Sequence, residues 1–195
     1  MARLNGERLV LREVFKEDLP HIREWVNNSQ ITRYLSDIFL YPHAINDTEG
    51  YINFALEHVD ETKREFIVAF KDSLDYIGQV SLTNIDWKNR VAGIGIVIGK
   101  KDCLGKGIGT EAIELLQYFA FYKLNLNKLE LSVHDFNERA IKCYKKCGFV
   151  EEGRLRQKNY YDGEYCDSIL MGNLKEEYEA RDSKIRALIM QNNFN

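Results

Sequence analysis

The clearest chemical signal in the chain is Cys103-Leu104-Gly105-Lys106-Gly107-Ile108-Gly109-Thr110, a glycine-rich turn between a strand pattern and a helix pattern. Glycines let the backbone turn tightly and let a ligand come close to the amides. The first amides of a helix have no partner inside it and sit at the positive end of its dipole. Such a turn binds phosphate, and Lys106 adds a charge at its rim. A nucleotide-hydrolase loop is excluded, because Gly107 rather than Ser or Thr follows Lys106. A dinucleotide fingerprint starting at Gly105 needs Gly or Ala where Thr110 stands, and a βαβ unit at its start. Taken alone, the turn reads equally well as a helix cap with no ligand.

Cys143 and Cys147 lie four apart on a helix pattern and could share a soft metal. Further ligands at useful spacing are missing, so no metal is expected. With Cys103 and Cys166 they read as free thiols, which fits a cytoplasmic protein.

Around these residues stands a chain of 195 residues, 45% hydrophobic and 29% charged, suited to one domain. A chain of that length buries roughly 70% of its unfolded surface, so it folds without a metal or disulfide. Ten Phe, 11 Tyr and 2 Trp supply a large aromatic core. The net charge of -3 speaks against a nucleic-acid partner, which needs a basic surplus. No apolar run approaches the roughly 20 residues that span a bilayer, and the opening residues lack a signal-peptide core, so no membrane partner is expected.

The elements that must position the turn follow from periodicity. A strand over residues 7–14 places Leu9 and Leu11 on one face. Asp18 caps a helix with Pro20 in its first turn. Residues 30–42 read as irregular. Asn46 and Glu49 form a capping box for a helix to about Val59. Strands over 65–70, 76–82 and 91–98 form an antiparallel meander. A helix over 107–122 carries the stripe Ile108, Ala112, Leu115, Leu116 and Phe119. A strand over 128–133, a helix over 137–146 ended by Gly148, and strands near 153–157 and 165–171 complete the order. Asp162-Gly163 turns the last pair, and a tail helix runs from Leu174, frayed over 191–195. The fold is α/β, with a mixed, mainly antiparallel central sheet of about seven strands and about four helices plus a C-terminal helix. The division is a domain over 1–174 and a helical tail over 175–195.

Three segments together carry a family resemblance. The turn resembles the acyl-CoA pyrophosphate loop of the GNAT superfamily of N-acetyltransferases, with Gly107-x-Gly109 in place and Leu104 where Arg or Gln usually leads. Asn137-Glu-Arg-Ala-Ile-Lys-Cys-Tyr144-Lys-Lys-Cys-Gly148-Phe149 is similar to the family's Asn-x-x-Ala-x-x-x-Tyr-x-x-x-Gly-Phe helix. Asp162-Gly163-Glu-Tyr-Cys-Asp167, then Leu170-Met171, resembles the closing hairpin of the branch that acetylates ribosomal-protein N-termini and of the spermidine acetyltransferases. The opening Glu7-Arg8-Leu9-Val10-Leu11-Arg12 is typical of that branch. The resemblance runs to about residue 174.

It implies acetyl-CoA as co-substrate. The pantetheine arm would pair with the backbone of Ile96, Val97 and Ile98, which requires the 91–98 strand to splay from the 128–133 strand. Leu104, Gly105, Lys106, Gly107, Ile108, Gly109 and Thr110 would hold the pyrophosphate, and Asn137 would cap its helix and touch the coenzyme. An amine, from a protein N-terminus or a small molecule, attacks the thioester and must lose a proton. By residue type alone Tyr144 is a core aromatic; the resemblance gives it the role of protonating the leaving thiolate. The base is open among Asp86, Glu130, His134 and water, since Asn84 and Gly93 stand where relatives often carry a carboxylate.

Residues 35–75 should help form the acceptor side. They hold Asp37, Asp47, Glu49, Glu57, Asp60, Glu61, Glu65, Asp72 and Asp75 against Lys63, Arg64 and Lys71. Such an acidic balance is a rim for cationic amines or simply a solvated helix face. Polyamine and aminoglycoside acetylation, and a non-catalytic acyl-CoA-binding regulator, stand as alternatives. The tail stripe of Leu174, Tyr178, Ile185, Leu188 and Ile189 packs on its own domain or on a sister subunit, which makes a homodimer one expectation.

Overall fold

A computed structural model describes residues 3–58, 60–181 and 183–193. The strands are β1 (Leu4–Asn5), β2 (Leu9–Arg12), β3 (Arg64–Phe70), β4 (Tyr76–Asp86), β5 (Val91–Ile98), β6 (Lys128–His134), β7 (Val150–Tyr161) and β8 (Glu164–Leu174). The helices are α1 (Leu19–Val26), α2 (Ser29–Thr32), α3 (Ile45–Glu57), α4 (Ile108–Tyr118), α5 (Glu138–Lys146), α6 (Lys175–Ala180) and α7 (Lys184–Asn193). One sheet takes the order β1-β2-β3-β4-β5-β6-β8-β7. All neighbours are antiparallel except β5 and β6, the pair bridged by α4. The sheet thus has one strand more than the sequence implies, because two residues suffice for β1 to pair with β2.

Alternation in the central strands sorts side chains between two cores. Leu9, Leu11, Phe66, Val68, Val80 and Leu82 face α4, with Tyr118, Tyr178 and Ile189 in the same cluster. Val10, Ile67 and Ala69 face the other way and meet Ile22, Trp25 and Ile52 of α1 and α3. Both faces are covered, so β2 and β3 read as nearly continuous apolar runs. The tail stripe therefore packs on its own domain through Tyr178 and Ile189. No helix among the described residues is long and apolar enough to cross a membrane.

Several helix ends differ from the sequence expectation. Asp18 precedes α1 but makes no side-chain cap. Its carboxylate instead receives both Arg12 Nη atoms, at 2.6 and 2.8 Å, and the Phe15 amide at 2.8 Å. Helix α3 starts one residue before Asn46, because the Asp47 carboxylate accepts the Ala44 amide at 2.7 Å. It ends at Glu57, and Val59 lies outside the described residues. The segment read as irregular holds α2, capped by Asn28 Oδ1 on the Gln30 amide at 3.2 Å. Helix α4 stops at Tyr118 and passes into a wide π turn over Phe119–Lys123. The tail is two helices rather than one. Arg181, extended at the end of α6, sends its guanidinium to Glu114 and the Lys146 carbonyl and so leaves the helix path. Of the residues expected to fray, Gln191 to Asn193 are helical, and Phe194 and Asn195 lie outside the described residues.

Candidate active site

Strands β5 and β6 are hydrogen-bonded only where Val91, Ala92 and Gly93 meet Lys128, Leu129 and Glu130. Beyond Gly93 they part. Residues 94–98 keep their β4 partners, residues 131–134 keep their β8 partners, and the edges between them are unpaired. A cavity of about 1270 Å³ occupies this opening and reaches both faces of the sheet. Ile94 and Ile96 line it from the α4 side, and Ser81, Gly95 and Val97 from the α1–α3 side.

The glycine turn forms one end. Gly105 and Gly107 take φ of +75° and +79°, the left-handed region that side chains disfavour. Gly107 is the N-terminal cap of α4, and the first intrahelical bond runs from the Glu111 amide to its carbonyl at 3.1 Å. The amides of Ile108, Gly109 and Thr110 therefore have no partner inside the helix. At Gly109 a Cβ would stand 3.5 Å from Cys143 Sγ and 4.0 Å from Ile96 Cδ1, ordinary packing distances, where α4 meets α5 and β5.

Two residues far apart in sequence hold this turn. The buried Glu111 carboxylate accepts the Arg8 and Leu9 amides at 2.8 and 3.1 Å and Arg8 Nε at 3.0 Å. Arg8 Nη1 then donates to the Lys106 carbonyl at 3.0 Å. Arg8 belongs to the opening segment that carries the family resemblance, Glu111 belongs to no motif, and nothing in the sequence signals that they meet.

Most of the residues expected to meet a coenzyme line this cavity: Ile96, Val97, Ile98, Leu104, Gly105, Gly107, Gly109, Thr110 and Asn137. Lys106 is exposed outside the lining and Ile108 is buried in the core, so either would contribute its backbone. Asn137 Oδ1 caps α5 through the Ala140 amide at 3.2 Å. Tyr144 also lines the cavity, edge-on to Phe149 at 5.9 Å. Its hydroxyl has no hydrogen-bond partner among the described residues. Burial, then the neighbouring Cys143 and Cys147, push its phenol well above the usual value, so it stays protonated.

Cys143 Sγ lies 3.5 Å from Thr110 Oγ1, beside the turn. A hydrogen bond from Cys147 is the largest influence on this thiol, which is lowered to about 7 against burial. Cys147, fully buried, is pushed the other way, first by that same bond. All four cysteines are free.

Of the carboxylate and imidazole candidates for the base, Asp86 is exposed and bound to the Asn89 amide and side chain at 2.9 and 2.7 Å. Glu130 is exposed and outside the lining. His134 lines the cavity, stacked on Phe136 at 5.1 Å, with Nδ1 3.2 Å from Asn159 Nδ2. From residues 35–75 only two of the nine carboxylates, Asp37 and Glu65, reach the cavity. The others are exposed on α3, in the segment between α3 and β3, and in the turn between β3 and β4.

Comparison with known proteins identifies the family. Residues 8–150 match the acetyltransferase (GNAT) domain family. The chain is 32% identical over 174 residues to the spermidine N(1)-acetyltransferase of Escherichia coli K12, covering 87% of this chain and 88% of that protein. It is 38% identical over 102 residues to the putative ribosomal N-acetyltransferase YdaF of Bacillus subtilis, 52% of this chain and 55% of that one. Among solved structures, spermidine N-acetyltransferase from Vibrio cholerae in complex with CoA and spermine matches with a TM-score of 0.77 at 30% identity, covering 88% of this chain and 98% of that chain. With the parted strands, the glycine turn and the matching domain in agreement, the chain belongs to the GNAT acetyltransferase family.

Proposed function

We propose that the chain transfers the acetyl group of acetyl-CoA to a primary amine, a protein N-terminus or a small molecule, by direct attack within a ternary complex. The observation that carries this reading is the continuous path from the unpaired edge of β5 to the bare amides at the start of α4. In it, the pantetheine arm pairs with backbone of Ile96, Val97 and Ile98. The pyrophosphate rests on the turn from Leu104 to Thr110, and Asn137 contacts the coenzyme beside its cap.

The acceptor nitrogen loses a proton to water ordered near His134 and forms a bond to the acetyl carbon. The C–S bond breaks, and the thiolate takes the Tyr144 proton, which solvent restores. The phenol is neutral at pH 7 and so carries the proton to give, while its burial makes it a weaker acid than free tyrosine. These steps draw on no metal ion.

Calorimetry with acetyl-CoA, followed by thiol release in the presence of an amine panel, tests the reading. We expect binding with amine-dependent release of free CoA. Binding without release for any amine would favour a non-catalytic acyl-CoA sensor, and no binding would remove the reading.

A further inference from the structure

The acceptor wall of the cavity has a distinct composition. On the α1–α3 face of the sheet its polar side chains are mainly hydroxyls and amides: Gln79, Ser81, Thr83, Ser132, Asn159 and Ser168. Away from α5, the charged groups are two carboxylates, Asp37 and Glu65, and two ammonium groups, Lys63 and Lys158. Glu65, with 19% of its side chain exposed, is already paired: Lys63 Nζ stands 2.9 Å from its Oε2. Tyr51, whose hydroxyl accepts Gln79 Nε2 at 2.6 Å, sits beside the same carboxylate, which helps push its phenol up after burial does so.

Strand register sets the geometry. Glu65 is opposite Ser81, and Ser81 is opposite Gly95 at the free edge of β5. From Glu65 to that edge is two strand spacings, roughly 10 Å. Between them Ser81, 9% exposed, turns into the cavity with no hydrogen-bond partner among the described residues. A side chain at Gly95 would press on Ser81 Oγ at 3.2 Å, and one at Gly93 would meet Thr83 Oγ1 at 2.7 Å. The two glycines thus leave a floor of hydroxyls uncovered.

Resting on the acetyl-transfer reading above, we infer that this cavity selects an amine with one positive charge and several hydroxyl groups, the chemistry of an amino sugar. It turns polyamines away because Lys63 already neutralises Glu65. At Glu65 a second ammonium, some 10 Å from the free edge of β5, meets a balanced ion pair and Lys63 repels it, while the other carboxylate, Asp37, is exposed and screened by solvent. The ligand's hydroxyls meet Ser81, Thr83, Ser132 and Ser168, whose side chains have no hydrogen-bond partner among the described residues, and both members of the ion pair.

The test compares glucosamine, spermidine and a short peptide with a free N-terminus by kcat/KM, with acetyl-CoA binding measured by calorimetry on every variant. The expected result is a preference for glucosamine over spermidine of at least about tenfold in the wild type. Lys63→Met should raise kcat/KM for spermidine about tenfold or more by freeing Glu65, and Glu65→Gln in that background should abolish the gain. Preference for spermidine or the peptide, no turnover with glucosamine, or no gain in Lys63→Met despite intact coenzyme binding would each overturn the inference. Loss of coenzyme binding in the wild type would instead strike the acetyl-transfer reading.

Discussion

Arg8 Nε stands 3.0 Å from Glu111 Oε2, joining the residue just before β2 to the first turn of α4 across 103 positions of sequence. Glu111 is 1% exposed, and its carboxylate also accepts the backbone amides of Arg8 and Leu9. The same arginine holds the Lys106 carbonyl. The loop is therefore tied to the sheet by charge-assisted bonds rather than left to its glycines.

Glu111→Ala leaves the Arg8 and Leu9 amides without their acceptor. Leaving a buried donor unsatisfied costs about 1–3 kcal/mol, so a fall in the unfolding midpoint is expected in denaturant titration. Arg8→Met is the milder probe, because Arg8 is half-exposed and Glu111 keeps its amide donors. It should weaken acetyl-CoA binding several-fold while changing stability little. An unchanged affinity would show that the loop needs no such tether.

Tyr144→Phe should lower kcat by about 10²–10⁴ with acetyl-CoA affinity preserved, since it removes a proton donor and little packing. The direction of its shift adds a pH signature. Burial raises the phenol, so the neutral, donating form persists above the usual tyrosine range near 10. The wild-type rate should show no fall from this group below about pH 10. A falling limb near pH 8 that vanishes in the phenylalanine variant would contradict the environment described.

Cys143 offers a readout of the coenzyme end without turnover. Its thiol is lowered to about 7, first by the Cys147 hydrogen bond, so the thiolate is half-formed near neutrality. Alkylation by iodoacetamide should rise through pH 7 and level off well before an ordinary thiol does. Acetyl-CoA should slow it, because Cys143 lies beside Thr110 in the cavity. Mass spectrometry of the modified peptide, with Cys143→Ser as control, measures both effects.

The buried Arg12–Asp18 pair predicts a purely structural effect. Both side chains are almost fully buried, at 2% and 3% exposure. Asp18→Ala strands the guanidinium and should cost about 3–5 kcal/mol. Because the site lies apart from the cavity, the folded fraction should keep normal acetyl-CoA affinity. A variant of wild-type stability would mean that Arg12 finds another partner.

Local pattern determined much of this protein. Strand β5 ends where its apolar run ends, Asn137 caps α5 as its spacing demands, and Gly105 and Gly107 adopt the left-handed φ that glycine tolerates most easily. These features depend on residues a few positions apart, so periodicity and cap chemistry reveal them. Tertiary structure decided what crosses the chain. Asp18 looks like a cap but is drawn to Arg12, and Arg181 breaks the tail because Glu114 and the Lys146 carbonyl claim its guanidinium. Nine carboxylates between residues 35 and 75 are alike in composition, yet strand register and a short turn bring only Glu65 and Asp37 to the cavity. A one-residue slip in β3 would send Glu65 to the opposite face, which is why register and not charge count shapes the acceptor wall.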